Sequence, residues 1–294
     1  MAGVLGQFRP TLWSSNLIVD IDEQFVGAGL TNRDYAGEIT AKGNVLKINE
    51  IGDITVSDYT EDVDMTIAQL TGAQKELVID QAKSFSFGVD DVLVHQASGN
   101  LMSAAMAKAG HAIAKVVDTH IAANYSDAGV VTSGIGTSGT DLDVYATHLT
   151  AASNIIGLFT NMNRYAGEAN MPDQRWFWIP PWLHSYMIYA GIIDNTAKGS
   201  SKLSPPGYGN GFRGSYMGFD LYVSNNVNND GTTWNCMFGS MDAIAFAGQI
   251  IKMETGRREK QFGDLVKGLY VYGSKVVRPD HLGVAYLAAG GLST

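Results

Sequence analysis

Six histidines (His95, His111, His120, His148, His184 and His281) and one cysteine, Cys236, are the residues of this 294-residue chain best suited to metal or nucleophilic chemistry. No pair of the histidines stands in HExxH or another metal-ligand spacing, and no serine lies within GxSxG. Cys236 has no nearby sequence partner and no second cysteine to bridge, so it reads as a small buried hydrophobe. Gly134, Gly136 and Gly139 spell GxGxxG. A dinucleotide fingerprint needs a strand before it and a carboxylate about 20 positions later, whereas here a long helical pattern precedes it and Ile155 to Arg164 carries no carboxylate. Ser126 to Thr140 therefore reads as a linker. Asp141 and Asp143 form a carboxylate pair, but beside a helix start they read as a cap and a partner of the helix dipole. No enzyme activity, cofactor or metal is expected.

The charges suggest a different kind of chemistry. Asp53, Asp58, Glu61, Asp62 and Asp64 lie in a stretch, Ile48 to Gly72, without a basic residue, while Arg257, Arg258 and Lys260 form the densest basic cluster. Opposite charges far apart in sequence can steer and align two copies of one chain, so these eight residues are read as inter-subunit contacts. The net charge of -9 and the pI near 5.0 argue against strong binding to nucleic acid or anionic lipid, which needs clustered cations. Met1 to Pro10 has neither the basic start nor the apolar run of a signal peptide, and no segment reaches the roughly 20 apolar residues of a membrane span. A soluble cytoplasmic protein is the expectation. The 45% hydrophobic content supports a core, and 34 glycines point to many turns.

Several elements must position those charges. Asn100 to Tyr125 keeps a helical period without proline, with Met102, Met106, Ala109, Ile113, Val116, Val117 and Ile121 on one stripe. Lys108, His111, Lys115, Asp118 and Ala122 are expected on the polar stripe. Leu46 and Ile48, then Ile54 and Val56, alternate with polar residues as strands do, and Leu77, Ile79, Phe85, Phe87 and Val89 share the parity of a single return strand. The whole reads as a long hairpin-like excursion carrying the acidic residues. A free two-stranded arm is marginal, so it needs a neighbour. Trp13, Leu17 and Ile18 also lie in a segment too short for a core and must bury against a later part of the chain or another copy; Trp13 is counted with the inter-subunit contacts.

Further on, Asp141 is expected to cap a helix bearing Leu142, Tyr145, Leu149, Ala152, Ile155 and Phe159. Arg175 to Ile179 reads as a buried strand stopped by Pro180, and Pro181 as the start of a short helix with Leu183, Tyr186, Met187 and Ala190. Asn195 to Gly214 reads as a surface loop. Phe219 to Val223, Asn235 to Phe238, Ala243 to Ala247, Leu269 to Tyr272, Val276 to Val277 and Leu282 to Leu287 read as strands. The fold class is α+β.

Three stretches carry a family resemblance: Phe8-Arg9-Pro10-Thr11-Leu12-Trp13, Asn32-Arg33-Asp34-Tyr35-Ala36-Gly37-Glu38-Ile39 and Gly43-Asn44-Val45-Leu46-Lys47-Ile48. With Asp80 to Val92 and Gly273-Ser274-Lys275-Val276-Val277-Arg278-Pro279, the chain resembles major capsid proteins of tailed bacteriophages over almost its whole length. The resemblance implies the Hong Kong 97 fold. It divides the chain into an N-terminal arm (1–40), an extended β-hairpin E-loop (41–89), a peripheral domain with the long spine helix (90–140), an axial domain (141–250) and closing strands of the peripheral domain (251–294). It further implies self-assembly into pentamers and hexamers of an icosahedral head built in the bacterial host cytoplasm. The head would enclose double-stranded DNA without binding it specifically, with a portal and no membrane. Because the arm motif starts at Phe8, a separate scaffolding protein and persistence of the first residues in the mature particle are expected. Some relatives cross-link a lysine of the E-loop to an asparagine of a neighbour; Lys42, Lys47 and Lys75 lie near, but no motif transfers that chemistry. An encapsulin-type nanocompartment shell and a small-molecule enzyme on the middle domain are the alternatives.

Overall fold

The computed structural model describes residues 26–34, 43, 45–51, 58, 61, 72–90, 101–130, 142–143, 148–189, 191–192, 211–231, 233–258 and 262–288. Leu101–Ala122 form α1 and run on into a 3-10 turn, Ala123–Asp127. Twenty-two residues at about 1.5 Å each give a rod of roughly 33 Å. Its C-terminal half is seated by Val117, Ile121 and Ala122, all buried. Two residues expected on the polar stripe, Asp118 and Ala122, are instead buried, while Val116 is 39% exposed. The helix face is rotated relative to the expectation because a buried polar contact at Asp118, described below, belongs to the core side.

Beside α1 lies a three-stranded antiparallel sheet in the order β10 (Ile244–Arg257), β11 (Gly263–Val276), β3 (Gln81–Asp90). β10 and β11 are 14 residues each and are out of step only between Ile250 and Lys252, where a bulge interrupts the register. The strand expected at Ala243 to Ala247 is thus the start of a much longer one, and the domain boundary expected after residue 250 falls inside it. The strands expected at Leu269 to Tyr272 and Val276 belong likewise to the single strand β11.

A separate hairpin pairs β1 (Val45–Ile51) with β2 (Gly72–Val78), Val45 facing Val78 and Ile51 facing Gly72. The single return strand expected from Leu77 to Val89 is two strands in two sheets, separated at Ile79 and Asp80. The shared parity hides a change of face. Leu77 and Ile79 pack with Leu46, Ile48, Ala245, Ala247 and Val271, whereas Phe85, Phe87 and Val89 pair across from Gly268, Val266 and Asp264 on the other side of β11.

The middle of the chain builds a seven-stranded mixed sheet in the order β4 (Leu142–Asp143), β12 (Leu282–Ala288), β9 (Thr233–Ser240), β5 (Arg175–Ile179), β7 (Phe219–Val223), β6 (Phe212–Tyr216), with β8 (Asn228–Asn229) on β9. β5 (Arg175–Ile179) is parallel to β7 (Phe219–Val223) and antiparallel to β9 (Thr233–Ser240). β6 (Phe212–Tyr216) forms an edge and takes up the last residues of the loop expected at Asn195 to Gly214, of which residues 195–210 lie outside the described residues. Four of five β5 residues are buried, and Pro180 ends the strand so that Pro181 opens α3 (Pro181–Tyr189). Leu183, Tyr186 and Met187 face the core as expected. α2 (His148–Glu168) buries Ile155, Leu158, Phe159, Met162 and Ala166. Phe159, Phe177, Phe219 and Phe238 meet edge to face, with ring centroids 5.6 to 6.4 Å apart.

Asp143 does not cap this helix, which begins at His148, and Asp141 lies outside the described residues. Leu142–Asp143 form the short strand β4, drawn into parallel pairing with Leu287 and Ala288, so sheet pairing wins over capping there. β12 (Leu282–Ala288) pairs with β9 inside the seven-stranded sheet rather than with β10 and β11, although it was expected with the closing peripheral strands.

Candidate assembly surface

The β1–β2 hairpin is held at its root. Leu46, Ile48 and Leu77 are buried against the long sheet, Gly43 N–H donates to the Ile79 carbonyl at 2.8 Å, and the Lys75 ammonium donates to the carbonyl of Val277. The opposite face turns Val45 and Val78, a direct cross-strand pair, to solvent at 46% and 44% exposure. Beyond them the exposed Lys47 and Glu76 stand 4.0 Å apart. Lys47 and Lys75 thus each have a partner within the chain. Of the acidic residues expected on the arm, Asp58 and Glu61 are exposed. Asp53, Asp62 and Asp64 lie outside the described residues, as do Lys260, Trp13 and the GxGxxG loop.

The basic cluster sits at the far end of the other hairpin. Arg258 N–H donates to Gly263 O at 3.0 Å and closes the β10–β11 turn. The Arg257 guanidinium stands 3.7 Å from the Asp264 carboxylate of its own hairpin, both exposed. The Arg258 side chain lies across Gly88 of β3, where a Cβ would come within 1.9 Å of its guanidinium. Phe262 joins them at 80% exposure. Sequence reasoning passed over Phe262; the signal was a lone aromatic inside the polar run Arg257 to Asp264.

A third cluster was misplaced by the periodicity. Asp118 is fully buried, its Oδ2 accepting from Val26 N–H at 2.9 Å and its Oδ1 from Gly27 N–H at 2.7 Å. Asn226 Nδ2 donates to Oδ2 at 3.2 Å. Burial raises its pKa, against the lowering effect of these hydrogen bonds. The signal was present, since Asp118 stands three and four residues before the apolar Ile121 and Ala122, on their face.

Ser240, Asp242 and His281 also meet, with His281 Nδ1 2.9 Å from Asp242 Oδ2 and the Ser240 hydroxyl on Oδ1. The hydroxyl bonds the carboxylate and not the imidazole, so the relay order of a serine nucleophile is absent. With Arg278 Nη1 3.2 Å from the same Oδ2, the cluster ties the turn after β9 to the turn after β11. Burial works to raise the Asp242 pKa, but the hydrogen bonds from Ser240 and His281 and the pull of His281 and Arg278 outweigh it and hold it below the usual range. Burial lowers the pKa of His120 and of His184 and pushes the fully buried Cys236 thiol far up. Among the described residues no group of three or more His, Cys, Asp or Glu could hold a metal, and no helix is long and apolar enough to cross a membrane.

This architecture, a long braced sheet, a projecting hairpin and a seven-stranded second unit, has close counterparts. The family described as phage capsid protein matches residues 74–287, and the chain belongs to that family. A solved structure from Mycobacterium phage Che8 is 28% identical, with 94% of this chain and 96% of that one covered and a TM-score of 0.68. The capsid of cyanophage P-SCSP1u is 17% identical over 98% and 95%, TM-score 0.67. A structure from Gordonia phage Cozz is 18% identical over 96% and 92%, TM-score 0.61. No curated protein matches the chain. The fold is that of the Hong Kong 97 capsids, and the protein is a structural capsid subunit of a bacteriophage virion, not an enzyme.

Proposed function

We propose that the chain is the shell-forming subunit of a tailed-phage head, self-assembling into pentamers and hexamers that enclose double-stranded DNA. In this reading residues 1–40 are an N-terminal arm, 41–89 the E-loop, 90–140 with β10 and β11 the peripheral domain, and the seven-stranded sheet, β12 included, the core of the axial domain. Assembly takes place in the bacterial host cytoplasm around a separate scaffolding protein and a portal. The observation that carries the reading is the β1–β2 hairpin, which among the described residues buries Leu46, Ile48 and Leu77 against the long sheet and turns Val45 and Val78 outward. An apolar pair at the base of a projecting ribbon calls for cover from another copy.

The inter-subunit contact is assigned to Trp13 and to the acidic residues Asp53, Asp58, Glu61, Asp62 and Asp64 of one copy meeting Arg257, Arg258 and Lys260 of another. The Arg257–Asp264 pair is exposed, so exchanging Asp264 for a neighbour's carboxylate costs little. The net charge of -9 fits a lining that lets packaged DNA slide and leave. Electron microscopy of the purified full-length protein tests the reading. Closed shells are the expected result; a monodisperse monomer under all assembly conditions overturns it.

A further inference from the structure

The segment that opens at Val26 is docked more firmly than any surface loop requires. Val26, Ala28 and Leu30 are each at most 1% exposed. Asn32 is knitted to β10 by its N–H to Ile244 O and by Phe246 N–H to its own carbonyl, both at 2.9 Å. Arg33 Nε donates back to Ala28 O at 2.7 Å. Where this segment begins, two consecutive backbone N–H groups point at one carboxyl group 91 and 92 residues away.

We propose that Asp118 is a positioning residue that sets the place and direction of the chain at Val26, the point to which residues 1–25 are joined. The proposal rests on the shell reading above. A carboxyl group has two oxygens in a fixed plane, so accepting from Val26 and Gly27 separately fixes the orientation of the peptide between them and not merely its distance. Asn226, whose own N–H is held by Ser224 Oγ at 3.1 Å, extends the clasp to the turn after β7. One side chain therefore joins the start of the segment, the long helix and the seven-stranded sheet.

Packing alone does not explain the choice of residue. A buried carboxylate is costly, and an apolar side chain there would leave two buried N–H groups without acceptors. The other wall of the seat is equally exact in its demand. A Cβ at Gly27 would fall 2.8 Å from the Trp178 ring and 2.9 Å from Asp118 Oδ1, so only glycine brings the backbone between them. In the shell reading residues 1–40 are an arm that contacts other copies, and such an arm magnifies any change of angle at Val26, so the clasp would act on assembly geometry from inside a single subunit.

The test uses full-length wild type and Asp118→Asn, which keeps the size of the side chain but turns an N–H₂ toward one of the donors. The variant should stay folded, with amide exchange at β7 unchanged. Exchange at Val26 and Gly27 should rise by about tenfold, and the yield of closed shells of wild-type diameter should fall several-fold. Unchanged exchange at those two amides overturns the proposal, and so does raised exchange with wild-type shells. If Asp118→Asn does not fold, Gly27→Ala, which keeps the carboxyl group but displaces the same peptide by pressing a Cβ against the Trp178 ring and Asp118 Oδ1, is read against the same two outcomes. Failure of wild type itself to form shells would count against the shell reading, while the exchange result would still report on the clasp.

Discussion

Val78 and Gly273 meet backbone to backbone: a Cβ on Gly273 would lie 2.3 Å from the Val78 carbonyl oxygen and 3.1 Å from its carbon. This is where the β1–β2 hairpin leaves the long sheet, and the obstacle is main chain, which cannot rotate aside as a side chain can. Gly273→Ala should therefore shift the hairpin root at a cost of about 1–3 kcal/mol in stability. Thermal unfolding checks the cost. A variant as stable as wild type, with exchange at Leu46 and Leu77 unaltered, would contradict the contact.

Asp118 predicts a pH dependence. Its folded-state pKa lies above the ordinary value of about 3.9, so the folded protein binds this proton more tightly than the unfolded chain. Stability from that proton is full below about pH 4 and is lost as pH rises through the folded value. Relative to Asp118→Asn, wild type should lose ground as pH climbs from about 4 and then level off. Urea unfolding of both proteins across that range checks the sign, and a difference that rises with pH refutes it.

Asp242 predicts the opposite trend. Its pKa is held low despite burial, by Ser240, His281 and Arg278. The stability it confers is present above its ordinary pKa and lost as pH falls through the depressed one. Since Asp242 is about one-third exposed, Asp242→Asn should cost only about 1 kcal/mol at neutral pH, with the gap closing in acid. Denaturant midpoints of the two proteins read this directly.

Much of the seven-stranded sheet was legible in sequence because its signals are local. Arg175 to Ile179 is continuous apolar chain ended by proline, Pro181 has the geometry of a helix start, and Phe219 to Val223 alternates; all three elements lie where they were read. The misreadings came from pairing decided elsewhere. Leu142 and Asp143 look like a helix start until β12 offers them an edge. Phe85 and Leu77 share a parity that the step between two sheets makes meaningless. Asp118 was taken for a solvated residue because composition alone does not reveal donors 92 residues away. The assembly surface was half legible: charge marked Arg257 and Arg258, but only the geometry of the turn exposes Phe262.

The proposed docking between copies gives a charge-reversal prediction. One exposed ion pair is worth about 0–1 kcal/mol, but a contact repeated around a closed shell accumulates. Arg257→Glu with Arg258→Glu should block shell formation while leaving the subunit folded, and adding Asp62→Lys and Asp64→Lys should partly restore it. Particle counts by electron microscopy decide; no rescue, or no initial defect at low salt, removes the contact.

Cys236 is buried in β9 with its thiol pKa pushed up. A thiol-alkylating reagent should leave the native protein unmodified at neutral pH and label it fully in denaturant. Rapid native labelling would mean that the seven-stranded sheet opens on the timescale of the reagent.

The pairing of β3 with β11 has a consequence for how the chain is made. Val89 faces Asp264, so the ribosome must add about 175 further residues, about 9 to 35 seconds of synthesis, before β3 can find its partner. Throughout that interval Phe85 and Phe87 sit on an open strand edge in a nascent chain, beside other copies being translated from the same message. The pairing therefore sets a matter of timing: β3 of one chain is open to β11 of another that has finished first. A slower message upstream of β11 should raise the fraction of such entangled pairs, and a chaperone that shields the waiting strand should lower it.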